Sequence, residues 1–210
     1  MRIDKIMIVC AIILLVVFNS LPVRADYYGD EKKTTFGFRF GDYSFSDTDN
    51  DDFYGDDAAE CSLDLTFAGD NPNISWRIAL DGLSSSATEY DSGDYLSADL
   101  AIGGFSGAVI FHNDRKEKVG FYGGIGLGTY NVTETGDAVI GGIPYTLDGE
   151  GTGIGFNIFC GISARVSDNF SIGLEYFIRN LEVDMAYSSG YSEKIDYGGN
   201  SILLTLGIGF

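Results

Sequence analysis

Ile202-Leu203-Leu204-Thr205-Leu206-Gly207-Ile208-Gly209-Phe210, the last residues of the chain, decide its fold. Ile202, Leu204, Leu206, Ile208 and Phe210 form one apolar face, while the other face falls away to Thr205, Gly207 and Gly209. A period of two is that of a strand, not a helix. On a soluble sheet, an apolar edge ending on Phe invites aggregation. In a transmembrane barrel the same edge closes onto the first strand and its apolar face meets lipid. The stretch therefore predicts an all-β chain, an antiparallel eight-stranded up-and-down transmembrane barrel.

The start of the chain agrees. Arg2 and Lys5 precede an apolar run from Ile6 to Phe18, and Val23-Arg24-Ala25 offers small residues at a cleavage position. These are the parts of a secretory signal peptide over residues 1–25, which leaves one barrel domain over residues 26–210. The apolar run is shorter than the roughly 20 residues a spanning helix needs, and a signal anchor is the alternative. Cys10 lies inside the run, away from any cleavage site, which argues against a lipoprotein. Removing Arg2, Lys5, Arg24 and Asp4 with the leader takes the formal charge from −18 to −20. Such a chain repels phosphate backbones, so nucleic acid is not an expected partner. Cys61 and Cys160 fall on apolar strand faces and are expected as free thiols, with a disulfide as the alternative.

Dyad alternation marks eight segments: Thr35 to Ser46, Cys61 to Ala68, Ile74 to Leu83, Tyr95 to Phe111, Val119 to Tyr130, Gly153 to Val166, Phe170 to Arg179, and the C-terminal strand. Each has about the ten residues a tilted strand needs to cross hydrocarbon. In the fourth, Leu96, Ala98, Leu100 and Ile102 are expected to face lipid, with a bulge or bend near Gly103, Gly104 and Gly107. Residues 69–73, 113–118 and 167–169 read as tight turns. Asp47 to Glu60, Ser84 to Asp94, Asn131 to Gly151 and Leu181 to Gly199 read as long loops. Short turns on one rim and long loops on the other place both termini in the periplasm of a bacterial outer membrane.

The second face carries Arg39, Arg77, Arg165 and Arg179 with Asp64, Asp81, Asp99 and Glu175. Each Arg facing the lipid midplane would cost about 2–4 kcal/mol. Facing a narrow lumen, the charges can pair. Eight strands leave an interior just wide enough for side chains, so the expectation is an ion-pair network filling the barrel. A charge-lined channel for ions or small solutes is the alternative.

Three stretches resemble the small eight-stranded outer-membrane proteins: the OmpX-like barrels, the opacity-type surface proteins and the OmpA membrane domain. They are Phe121 to Gly128, the hairpin Gly161 to Tyr176, and the end of the chain. The resemblance implies that Leu204, Leu206, Ile208 and Phe210 form the signal read by barrel-assembly machinery. It also implies a monomer surrounded by outer-membrane lipid and lipopolysaccharide. The family shares a fold rather than an activity and supplies no active site. Its lipid-modifying enzymes resemble one another in using a histidine near the outer leaflet. Here the single histidine, His112, falls at the opposite end of a strand and reads as a solvated turn residue, so no catalytic residue is expected.

Asp47, Asp49 and Asp51 open an acidic loop that reaches Asp57 without a basic residue. An EF-hand register from Asp47 puts Asp52 where Gly is needed and Ala58 where the bidentate Glu belongs. Weak Ca2+ binding is weighed there against a solvated, extended tip. No other cofactor is expected. Glycines from 123 to 128 and from 149 to 155 open no helix, so they read as small inward positions rather than phosphate loops. Tyr43, Phe45, Tyr95, Phe111, Phe121, Tyr130 and Phe170 are expected in interfacial girdles. The leading expectation is a non-enzymatic surface barrel that contributes to envelope integrity or contacts an external partner through its acidic loops.

Overall fold

The computed structural model describes residues 34–47, 50, 53–54, 58–71, 73–91, 94–113 and 118–210. The expected leader lies outside them. The strands are β1 (Thr34–Phe45), β2 (Ala59–Ala68), β3 (Ile74–Asp91), β4 (Asp94–His112), β5 (Val119–Ile140), β6 (Ile143–Arg165), β7 (Phe170–Tyr187), β8 (Ser192–Asp196) and β9 (Gly199–Gly209). Every pairing is antiparallel and joins neighbours around a closed ring: β1 through β7 in order, then β9, which returns to β1. The ring is eight strands, because β8 prolongs β9 along the same partner, β7. Tyr197, between β8 and β9, still donates to the Leu181 carbonyl at 2.8 Å. Closure removes the sheet edges that an apolar terminal strand would otherwise leave open. Phe210 completes it by exchanging hydrogen bonds of 2.9 and 3.1 Å with Thr34.

The rim that holds Phe210 carries the short turns and is the near rim; the far rim carries the long hairpins. Three expected loops there are strands. β3 and β4 run on to Asp91 and Asp94, β5 and β6 to Ile140 and Ile143, and β7 to Tyr187. The β5–β6 hairpin turns on Gly141 and Gly142, whose φ angles of 59° and 79° suit the mirror-image turn that follows strand twist.

These extensions escape a search for one apolar face because the faces trade places. Along β7, Ile172, Leu174, Tyr176 and Ile178 point outward while Glu175 and Arg179 are buried. Past Arg179, the buried residues are Leu181, Val183 and Met185, and the outward ones are Asn180, Glu182 and Asp184. β3 switches between Asp81 and Leu83, and β5 between Tyr130 and Val132. On β1 the outward face passes from Phe40 to Asp42 while Tyr43 and Phe45 turn inside. Alternation therefore never stops; only its phase reverses.

Several expectations are corrected by this reversal. Ala98, Leu100 and Ile102 are buried inside the barrel, with Leu100 only 1% exposed. Asp99 lies exposed on the outer face of β4, not in the lumen. Tyr43, Phe45 and Tyr130 are core residues rather than girdle residues. The pairing of β4 runs unbroken through Gly103, Gly104 and Gly107, so the expected bulge is absent there.

A belt below the reversal exposes Trp76, Leu80, Phe105, Phe121, Leu127, Leu174 and Ile202, with Ile154 at 76%. Surface of this extent in contact with water would be strongly unfavourable; in contact with lipid tails it is not. Among the described residues no helix is long and apolar enough to cross a membrane, which leaves crossing by strands untouched. Neither Cys61 nor Cys160 forms a disulfide, and both have outward parity on β2 and β6.

Candidate functional site: the charged interior and its cap

Inward positions of β1, β2, β3 and β7 deliver the charges within the belt. Arg39 donates to Glu175 at 2.7 Å, to the Ser62 hydroxyl at 2.6 Å and to Asp81 at 3.3 Å. Its Nε lies 3.2 Å from Asp64. Arg77 reaches both oxygens of Glu175, at 2.9 and 3.2 Å. Arg179 donates to Glu60 at 2.5 Å, and the other Glu60 oxygen accepts from Ser201 at 2.6 Å. Asp81 is held from the opposite side by the hydroxyl of Ser106, at 2.6 Å. A buried charge needs this density of partners, because an ion taken out of water loses several kcal/mol of hydration, of the order of 3–5 kcal/mol being exposed when one partner goes.

Aromatic rings cover the guanidiniums. Arg77 lies over Phe159, 4.5 Å from the centroid, and Arg179 over Tyr130 and Phe177 at 4.6 and 5.3 Å. The glycines make room for these rings. A Cβ on Gly128 would stand 2.8 Å from the Tyr130 hydroxyl, and one on Gly155 2.7 Å from its ring. The clearance is for a ring on the same strand or on the adjacent one.

Six of the eight expected charges share this cluster: Arg39, Asp64, Arg77, Asp81, Glu175 and Arg179. Asp99 does not, for the reason given above. Arg165 has inward parity but is the last residue of β6 and exposed, so it stands outside the buried cluster. Glu60 belongs to it and is hidden in the sequence by a loop boundary drawn too late; its even-numbered register with Ser62 and Asp64 is the signal that could have found it.

Beyond the phase reversal the interior is mainly apolar: Tyr43, Phe45, Leu83, Leu100, Ile102, Val132, Leu181, Val183, Met185 and Tyr197 pack together. Tyr54, from the acidic first loop, enters this core and is 2% exposed, with Phe53 packed against it. Ser85 donates to the Tyr54 carbonyl at 2.6 Å, and Asn50 donates to the Asp196 carbonyl at 2.9 Å. Tyr54 and, beside it, Phe53 are thus packed into the core instead of lying on the expected solvated tip. Glu134, buried on the inner face of β5, accepts hydrogen bonds from Tyr54 and, at 2.8 Å, from Tyr187. Burial first, and the hydrogen bond to Glu134 second, push the Tyr54 phenol well above its ordinary range.

Asp47 accepts from the Asn50 amide at 3.3 Å; Asp49 and Asp51 lie outside the described residues. Among the described residues no three His, Cys, Asp or Glu side chains are grouped to hold a metal. His112 is half-buried rather than solvated, because β4 continues to it with inward parity. Its Nε2 lies 2.9 Å from the hydroxyl of Ser75, which is fully buried. A serine sealed in this way offers no approach to an acyl group, so the contact reads as a polar closure of the near end. Leu204, Leu206 and Ile208 share the outward face of β9, and exposed Phe210 follows directly after its last residue.

No family model matches the chain, and no curated protein sequence does. Solved structures do share its fold. A major outer membrane protein of Thermus thermophilus is similar with a TM-score of 0.54 at 10% identity, over 86% of this chain and 100% of that one. Neisserial surface protein A is similar with a TM-score of 0.46 at 14% identity, over 85% of this chain and 97% of that one. Ail of Yersinia pestis, in complex with the heparin analogue sucrose octasulfate, gives 0.47 at 15% identity, over 86% and 99%. At these identities the likeness is one of fold: the chain is an antiparallel up-and-down β-barrel of the outer-membrane kind.

Proposed function

We propose that this protein is a monomeric, non-enzymatic surface barrel of a Gram-negative-type outer membrane, with a closed bore. The near rim and both termini face the periplasm, and the far rim stands outside as a rigid acidic turret. Its role is structural or interactive: it contributes to envelope integrity and presents its outer wall to partners. Lipid and lipopolysaccharide surround the belt. The face carrying Leu204, Leu206, Ile208 and Phe210 serves the assembly machinery during insertion.

The observation that carries this reading is the continuity of the filling. Leu203, Glu175 and Arg179 occupy the belt interior, and Tyr130, Leu181, Val183, Met185 and Tyr197 continue it through the cap, all essentially inaccessible. A water-filled path would hydrate at least one of them. The channel reading would need the charged cluster and the cap to open together. Nothing chemically reactive is gathered on the far rim among the described residues, and the single Ser–His contact is closed to substrate.

Reconstitution into planar bilayers tests the proposal. A folded barrel, recognised by its heat-dependent gel mobility, is expected to give no steady conductance. Sustained conductance from the folded form would replace the closed-bore reading with the channel.

A further inference from the structure

The wall above the belt is polar for four rows and then becomes aromatic again. Across β3, β4, β5 and β6 the outward residues lie in register: Leu80, Phe105, Thr129 and Ile154 form the top of the belt. The next rows are polar or small, ending with Thr88, Ser97, Asp137 and Thr146. The row beyond them is Tyr90, Tyr95, Val139 and Pro144. A strand rises about 3.3 Å per residue, so this row stands roughly 33 Å along β3 above Leu80, well clear of hydrocarbon.

The rings of Tyr90 and Tyr95 lie 5.2 Å apart, and Tyr90 is 76% exposed. An apolar row held away from lipid on a four-stranded face marks an interaction surface. Carboxylates surround its base. Asp137 lies one row below Val139, and Asp99 and Asp148 flank Thr135 in the row beneath, all exposed. Among the described residues the cation of the far rim is Lys194, and it is engaged by Glu182 at 2.5 Å. Among the described residues, the three carboxylates therefore face solvent without a neutralising neighbour on their face.

We infer that this outer face of β3–β6 docks a cationic polypeptide segment, whose Lys or Arg side chains lie on Tyr90 and Tyr95 and reach Asp99, Asp137 and Asp148. Ring faces and carboxylates both attract cations, so the two features select the same ligand. The net charge of −18 opposes the other occupants: an anionic glycan, an anionic lipid surface or a second copy of this chain would be repelled. A neutral saccharide would gain from the rings but nothing from the carboxylates.

The inference rests on the surface-barrel reading, and its test separates the two. Fluorescein-labelled nona-arginine is titrated into the full chain folded in nanodiscs, at two salt concentrations, with anisotropy as the readout. Wild type is expected to bind. Replacing Tyr90→Ser with Tyr95→Ser leaves charge unchanged and is expected to weaken binding about tenfold, as loss of two ring contacts implies. Asp99→Asn, Asp137→Asn and Asp148→Asn together are expected to weaken it at least as much. The charge-matched set Asp42→Asn, Glu182→Gln and Asp184→Asn, on other strands, is expected to leave it within about twofold, since long-range attraction is screened.

Equal losses from both acidic sets would reduce the effect to general acidity and overturn the inference. So would absence of binding by wild type, or a maltoheptaose or self-association signal that depends on the tyrosines when the peptide signal does not. Conductance measured on the same preparations reports separately on the closed bore: a silent barrel that ignores nona-arginine refutes the docking face alone.

Discussion

Replacing Arg39 by Met is the sharpest test of how the belt interior is held. The side chain has nearly the right length for its space, so packing against Phe177, 5.6 Å from the guanidinium, is largely kept. The loss falls on its acceptors. Glu175 retains both bonds from Arg77, and Asp81 retains Ser106 at 2.6 Å. Asp64 fares worst: it keeps the Thr66 hydroxyl at 3.2 Å and an Arg77 nitrogen at 4.0 Å. Removing one partner of a buried pair costs about 3–5 kcal/mol, and the two better-satisfied carboxylates favour the lower end. Urea unfolding in lipid vesicles, read by tryptophan emission from Trp76, should therefore show a loss of about 3 kcal/mol by the same scale. Adding Asp64→Asn should recover a substantial part of that loss, because the orphaned charge goes with it. Arg39→Lys should fall between, since an ammonium cannot span acceptors that a planar fork reaches together. A loss below about 1 kcal/mol, the range of exposed pairs, would mean that water screens the cluster and would refute the dry-interior reasoning.

Other expectations concern the cap and its loop. Tyr54→Phe removes one of two donors from buried Glu134 and should cost about 1–3 kcal/mol, with faster protease cleavage between residues 47 and 58 as the independent readout. The Tyr54 phenol titrates above its unfolded value, so its contribution to stability is whole below about pH 10 and is lost as pH rises beyond that; an alkaline melt of wild type against Tyr54→Phe should show the difference narrowing only there. Millimolar calcium is expected to perturb amide signals from Asp47 to Glu60 while leaving barrel stability nearly unchanged, and a response matched by sodium at equal ionic strength would return the loop to ordinary screening. Leu100→Asp should disrupt the cap and Asp99→Leu should not, a contrast that unfolding curves resolve and that would reverse if Leu100 faced outward.

How much is legible in the sequence follows from which solvent each stretch meets. β9 and the first half of β7 are readable because lipid requires one continuous apolar face, and Ile172 to Ile178 or Ile202 to Phe210 supply it without interruption. The second half of β7 reads as loop although Leu181, Val183 and Met185 alternate as cleanly as any strand. The apolar positions have moved to the other parity, and a one-face search ends where the face changes. The same reversal puts Leu100 outside and Asp99 inside on a sequence reading, each on the wrong wall. Glu60 and Glu134 escape for a related reason: both occupy inward positions in segments that read as loops, and parity has no meaning in a loop. Tyr54 is beyond the reach of local pattern, since its burial depends on where the barrel mouth lies relative to the loop that carries it.

The reversal recurs from strand to strand, and that recurrence has an energetic cause. Ile178, Leu80, Phe40 and Ile154 are the last outward apolar residues of the belt on their strands, and Arg179, Asp81, Glu60 and Tyr130 are the uppermost inward members of the polar network. Below that level lipid surrounds the wall, burial of apolar side chains inside brings no advantage over exposing them outside, and ion pairs fill the bore. Above it water surrounds the wall, and the hydrophobic effect favours an apolar core and a polar exterior. One chain therefore builds two barrels on a shared set of strands. The lower is held by paired charges and the upper by Leu, Val, Met and Tyr packing. The upper core also backs the wall that carries Tyr90, Tyr95 and Asp137, with an interior packed as in a water-soluble protein. A polar substitution at Val183 should consequently loosen that face while leaving the Arg39 cluster intact, an asymmetry that amide exchange along β5 and β7 would resolve strand by strand.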